Sequence, residues 1–135
     1  MAIEKTLSII KPDAVKRSLM GEIIKKIEEN DLVIIDIKML KLSKQESSKF
    51  YEIHKDKTFF SNLIDYMTSG KIIVMILEGD NAVNKYRDLI GSTDPNKAKE
   101  GSIRKLYALN TTQNSVHASD SLENAKREIE FFFNI

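Results

Sequence analysis

Apolar residues recur along the chain in two rhythms, and the change between them marks out strands and helices. The run Thr6-Leu7-Ser8-Ile9-Ile10 predicts a short buried strand over residues 5–10, cut off by Lys11-Pro12-Asp13 because Pro12 has no N–H to give a ladder. Ala14 and Val15 open a helical turn. From Gly21 a second helical segment is expected, with Ile23, Ile24 and Ile27 on one face, Lys25, Lys26, Glu28 and Glu29 toward solvent, and Asn30-Asp31 as its stop. Alternation over residues 32–42 puts Val33, Ile35, Ile37 and Met39 on one face against Asp36 and Lys38, the pattern of a half-buried strand. Ser43 is placed to cap a polar helix containing Phe50 and Tyr51, and Phe59 to Ser69 reads as a further helical segment closed by Gly70. The run Ile72 to Leu77 is apolar without alternation, as a central strand covered on both faces should be. Asn81 to Ile90 reads as a helix with Ala82, Val83, Tyr86, Leu89 and Ile90 inward, ending at Gly91. Residues 92–102 form the longest irregular segment, and such loops in compact domains are usually functional or at interfaces. Val116-His117 approaches a last helix from Leu122 to Phe133, whose apolar stripe is Leu122, Ala125, Ile129, Phe132 and Phe133. Phe131 falls outside that stripe and is expected to be exposed, as a subunit contact.

In order this gives strand, helix, strand, helices, strand, helix, short strand and helix. Such an order describes an α/β sandwich whose antiparallel or mixed sheet is covered by helices. At 135 residues the chain is expected to be a single domain over 1–135, without repeats, linkers or low-complexity tracts. With 41% hydrophobic and 30% charged residues it has the composition of an ordinary globular protein. A net charge of +1 argues against general nucleic-acid binding, and the lack of cysteine excludes disulfides and thiolate metal sites. The N-terminus lacks a signal-peptide apolar core and no run approaches the length of a membrane span, so no membrane partner and a cytoplasmic location are expected.

The chemistry concentrates at His117, one of two histidines. Asp120 or Ser121 can cap the final helix, with Asp120 and Glu123 as a loose capping box, so His117 lies just before a helix N-terminus. That setting favours a bound anion such as phosphate and a neutral imidazole, which can act as nucleophile or base. Glu128 sits on the edge of the apolar stripe, where its carboxylate could orient one ring nitrogen and leave the other free. No glycine pattern makes a phosphate-binding loop, so side chains would have to hold a phosphate, with Lys11, Arg87, Thr93, Arg104 and Asn114 as candidates. No cluster has metal-ligand spacing, but Mg²⁺ is commonly held by substrate phosphates and water. A Ser-His-Asp hydrolase is disfavoured, since G-x-S-x-G is missing and Ser119 and Asp120 adjoin His117 too closely for triad geometry.

The segment Asn114-Ser115-Val116-His117-Ala118-Ser119-Asp120-Ser121 resembles the signature N-x-x-H-[GA]-S-D-[SA] of nucleoside diphosphate kinases. Lys11-Pro12-Asp13-Ala14-Val15 is similar to the K-P-D-[AG]-V of that family. The likeness continues through Phe59-Phe60, Tyr66-Met67-Thr68-Ser69-Gly70, Gly91-Ser92-Thr93-Asp94-Pro95 and Gly101-Ser102-Ile103-Arg104, in order and over nearly the whole chain. The resemblance implies a ferredoxin-like βαββαβ core with a four-stranded antiparallel sheet. It also implies ping-pong transfer of a γ-phosphoryl group from a nucleoside triphosphate such as ATP to a diphosphate such as GDP. His117 would be the nucleophile, phosphorylated on Nδ1, with Glu128 orienting the ring and Ser119 supporting the site. Lys11, Tyr51, Arg87, Thr93, Arg104 and Asn114 match phosphate- or ribose-binding positions, His54 lies near the phosphate end, and Phe59 matches the base-stacking aromatic. Mg²⁺ would be held mainly by nucleotide phosphates and water, and the partner would be further copies of the chain, a hexamer built from dimers with a tetramer or a dimer as the alternatives. The sequence departs from the family pattern at Thr111, where an aliphatic residue is usual opposite the stacking Phe. It departs again at Glu100 in the long loop, at Lys105-Leu106, and in stopping soon after the last helix. Two other readings are a phosphohistidine relay protein and a non-catalytic ferredoxin-like binding module.

Overall fold

In the computed structural model, which describes residues 2–134, four strands form one antiparallel sheet in the order β2-β3-β1-β4. They are β1 (Ile3–Ile10), β2 (Val33–Leu40), β3 (Ile72–Asp80) and β4 (Val116–Ala118). The helices are α1 (Pro12–Lys16), α2 (Met20–Glu29), α3 (Lys44–Phe50), α4 (Phe60–Met67), α5 (Ala82–Ile90), α6 (Ile103–Tyr107) and α7 (Leu122–Phe133). A single 3-10 turn, Glu52–His54, follows α3. This is the expected ferredoxin-like arrangement, with α3 and α4 inserted between β2 and β3. No helix among the described residues is long and apolar enough to cross a membrane.

The two central strands carry apolar side chains on both faces, so each face closes its own core. One contains Leu7, Ile9, Val74 and Ile76 from the sheet with Phe50 of α3, Ile64 and Met67 of α4, and Ile129, Phe132 and Phe133 of α7. The other contains Ile10, Ile73, Met75 and Leu77 with Ile23 and Ile27 of α2, Tyr86 and Ile90 of α5, and Ile103 of α6. Ser8 faces this second core and its hydroxyl meets the Tyr86 hydroxyl at 2.6 Å, which satisfies both buried groups.

The local signals act largely as the sequence predicts. Ser43 accepts from the Glu46 amide at 3.0 Å while the Glu46 carboxylate accepts from the Ser43 amide at 2.9 Å, a complete capping box for α3. Ser121, rather than Asp120, caps α7 by accepting from the Asn124 amide, and Asp120 takes the Asn124 side chain instead. Gly91 ends α5 at φ +86°, and a Cβ there would lie 2.5 Å from the Ser102 hydroxyl, so close approach as well as backbone requires glycine.

Four expectations are corrected. Strand β2 is not half-buried by alternation: a bulge between Ile34 and Asp36 breaks the alternation, and Val33, Ile35, Ile37 and Met39 are all exposed at the sheet edge. Phe131 is half-buried, its ring centroid 5.3 Å from that of Phe50, and so offers no projecting contact. Leu122 lies outside the buried stripe and is exposed. Gly70 does not close α4, which ends at Met67 and is capped by Thr68, its hydroxyl donating to the Ile64 carbonyl.

Candidate active site

His117 is set on β4 by the ladder to β1, opposite Ile9, so its ring shares the face of the sheet occupied by Phe50 and Tyr51. Both aromatic rings stand nearly edge-on to the imidazole, with centroids 5.6 and 6.4 Å away. Behind it, α7 presents Glu128, whose Oε1 lies 2.9 Å from His117 Nε2. The Ser119 hydroxyl donates to the same oxygen at 2.7 Å and accepts from the Leu7 amide at 3.3 Å. Burial raises the Glu128 pKa. The hydrogen bond and charge of His117, the Ser119 hydroxyl and the Arg127 charge outweigh that, and the carboxyl ends below its ordinary value. An ionised carboxylate can only accept, so Nε2 carries a proton, and in the neutral imidazole Nδ1 is left with a free lone pair.

That imidazole lines a cavity of about 700 Å³ together with Lys11, Tyr51, His54, Phe59, Arg87, Thr93, Arg104 and Asn114. The fold therefore gathers every candidate named from sequence except Ser119 and Glu128, which stand behind the histidine. Thr111 also lines the cavity, but Glu100 lies in a separate surface depression with Lys85 and Asp88. Phe59 is exposed at the mouth, its ring 5.8 Å from His54. Lys11 donates to Asn114 Oδ1 at 2.8 Å and is buried. Burial, with the Arg104 charge acting the same way and Asp13 opposing, pushes the Lys11 ammonium down to about 7. Arg104 donates to the carbonyls of Gly91 and Val116, and burial lowers it to about 10. Its Nε and the Tyr51 hydroxyl are buried without a hydrogen-bond partner. Burial first, and then the Glu128 charge, raise the Tyr51 phenol far above its ordinary value, so it stays a neutral donor. Unpaired buried donors cost about 1–3 kcal/mol each.

Among the described residues no group of three His, Asp or Glu is placed to hold a metal. The cavity offers three cationic side chains against the lone carboxylate of Asp120, which suits a divalent cation carried in on phosphate oxygens and not a protein cage.

Sequence reasoning passed over two parts of this arrangement. Helix α6, which carries Arg104, is five residues long, too short for periodicity, although Ser102 before Ile103 is a cap signal and does accept from the Lys105 amide. The other is Asp13, a buried carboxylate that joins α1 to the segment before β4 by accepting from both the amide and the hydroxyl of Ser115. Leu63 also lines the cavity, and no pattern singles it out.

A family model for nucleoside diphosphate kinase matches residues 4–135. The chain is 56% identical over 131 residues to a nucleoside diphosphate kinase of a Nitratiruptor species, covering 97% of this chain and 96% of the relative. It is 55% identical over 133 residues to one from a Wolbachia of Drosophila simulans, covering 98% and 96%. Its fold superposes with a TM-score of 0.95 on the Aquifex aeolicus nucleoside diphosphate kinase, 36% identical, covering 98% of this chain and 96% of that one. The TM-score is again 0.95 against a halophilic nucleoside diphosphate kinase from Halobacterium salinarum in complex with CDP, 34% identical, covering 99% and 90%. With matches of that extent, and a histidine presented by a carboxylate to a cation-lined cavity, the chain belongs to the nucleoside diphosphate kinase family.

Proposed function

We propose that the enzyme transfers a γ-phosphoryl group from a nucleoside triphosphate to a nucleoside diphosphate through a phosphohistidine on Nδ1 of His117. One observation carries this reading: His117 donates Nε2–H to Glu128, which leaves Nδ1 nucleophilic at the cavity. In the first half-reaction the Nδ1 lone pair forms the N–P bond as the bond from the γ-phosphorus to the β,γ-bridging oxygen breaks, and the nucleoside diphosphate leaves. In the second, a terminal β-phosphate oxygen of the acceptor attacks phosphorus, the N–P bond breaks, and the imidazole is restored. Lys11, Arg87 and Arg104 would hold the phosphates and offset charge on the transferring group, which is the usual large contribution in phosphoryl transfer. Tyr51, Thr93 and Asn114 would add neutral contacts to phosphate and ribose, with His54 near the phosphate end. Phe59 at the mouth would stack on the base, and stacking tolerates any base because each has a π-face. The CDP complex of the halophilic relative supports a nucleoside diphosphate as ligand. Mg²⁺ arriving on the phosphates would neutralise part of their charge.

We read the assembly as a hexamer built from dimers, as the family resemblance implies, with a tetramer or a dimer as the alternatives; the exposed apolar residues of β2 support association. A cytoplasmic location goes with the proposed substrates. The chemistry is tested by intact mass after mixing with Mg-ATP, followed by a GDP chase. Gain of one phosphoryl group, removed by GDP as GTP and absent in folded His117→Ala, is expected. A phosphoryl group that survives the chase would favour the relay protein, and a folded protein that gains none would leave only a binding module.

A further inference from the structure

Asp13 is unused by the reaction just described, yet it is among the most heavily bonded side chains outside the cavity. Its carboxylate accepts from the Ser115 amide at 3.3 Å, the Ser115 hydroxyl at 3.0 Å, the Arg17 guanidinium at 2.8 Å and the Tyr66 hydroxyl. Four separate segments thus meet on one buried carboxylate: α1, α4, the Ser115 turn and, through the Arg17 bond to the Tyr107 carbonyl, the end of α6. Ser115 is a non-glycine residue held at φ +73°, a conformation that costs an L side chain and persists only when its surroundings fix it. Two cavity groups depend on that conformation. The Lys11 amide donates to the Ser115 carbonyl at 2.8 Å, and the Lys11 ammonium bonds Asn114, the residue before Ser115, at 2.8 Å.

We propose that Asp13 is a positioning residue for nucleotide binding, clamping Ser115 in its left-handed turn so that Lys11 and Asn114 converge on the phosphates. The inference rests on the phosphoryl-transfer reading above. Asp13 also acts on Lys11 as a negative charge, opposing that of Arg104 from α6, while Arg87, Tyr51, His54, His117 and Asp120 are the further ionisable groups lining the same cavity. Its clamp and its charge therefore act in the same direction.

The test compares Asp13→Asn, Ser115→Gly and the double variant by steady-state kinetics across pH. Asp13→Asn is expected to raise the KM for ADP roughly tenfold with kcat little changed, the size of one lost charge-assisted bond. It should also move the alkaline fall in kcat/KM to lower pH. Glycine adopts φ +73° without strain, so adding Ser115→Gly should recover most of the KM loss while leaving the pH shift in place. A carboxylate that only stabilises the fold would lower the Tm of Asp13→Asn and leave KM and the pH profile where they are, which overturns the proposal. A KM loss that glycine does not recover also overturns it. Wild-type phosphoenzyme formation is measured alongside, so failure of the phosphoryl-transfer reading registers there and not in the Asp13 comparison.

Discussion

Lys11 illustrates how far one side chain's setting departs from what its identity suggests. Burial pushes its ammonium down to about 7 in the nucleotide-free protein, while the unfolded chain keeps the ordinary value of 10.5. Between those values the unfolded state holds more protons, so the unliganded fold gains stability as pH rises through that window, and the burial cost is fully present below 7. Phosphate binding by Lys11, as proposed, would have the opposite preference, because it would need the ammonium. ADP should therefore bind with uptake of a proton above neutrality, and its affinity should fall as pH climbs past about 7. Titration calorimetry in buffers of different ionisation enthalpy reads the uptake directly, and an affinity that is flat across the alkaline range would contradict it. Residue-level chemistry was legible in the sequence where a residue type and a position coincide. His117 before a helix start and Glu128 on a stripe edge are such cases, and the 2.9 Å bond between them follows from that placement. Asp13 was not, because its partners Tyr66 and Ser115 lie 53 and 102 positions away and no local pattern links them.

Strand β2 carries the lesson at the scale of elements. Its apolar positions are plain in the sequence, but apolarity cannot distinguish the face that meets the core from the face that meets another chain. The bulge at Ile35 turns Ile37 and Met39 onto the face of Met75 and Ile73, where no helix of the same chain covers them fully. An open edge with exposed Val33, Ile37 and Met39 is a pairing hazard in a monomer and an asset in an assembly. Ile37→Lys should leave the protomer folded, since exposed substitutions cost about 0.5 kcal/mol or less. Sedimentation velocity should then show smaller particles than wild type, whereas an unchanged assembly would remove β2 from the interface. The buried central strand β3 and helices α2, α3 and α5 were readable for the converse reason: their periodicity or burial is settled within one chain. The bounds of α4 and the existence of α6 were not, since a five-residue helix and a glycine without positive φ leave no periodic trace.

Over the whole molecule, the cavity has no owner among the elements. Lys11 comes from the end of β1, Tyr51 from the end of α3, Arg87 from α5, Arg104 from α6 and His117 from β4. The Lys11 to Asn114 bond alone closes a separation of 103 residues. No stretch of the unfolded chain can reproduce those walls, so a nucleotide has affinity for the native state alone and adds to its stability as RT ln(1 + [L]/Kd). At a hundredfold excess over Kd that is about 2.7 kcal/mol, and for a domain of this size it corresponds to several degrees in Tm. Calorimetric scans should show Tm climbing with the logarithm of ADP concentration, and a Tm indifferent to ADP would mean that the cavity does not bind it. The nucleotide pool that the enzyme balances would then also set how long each molecule of it lasts, with starved protomers opening more often and reaching proteases sooner than supplied ones.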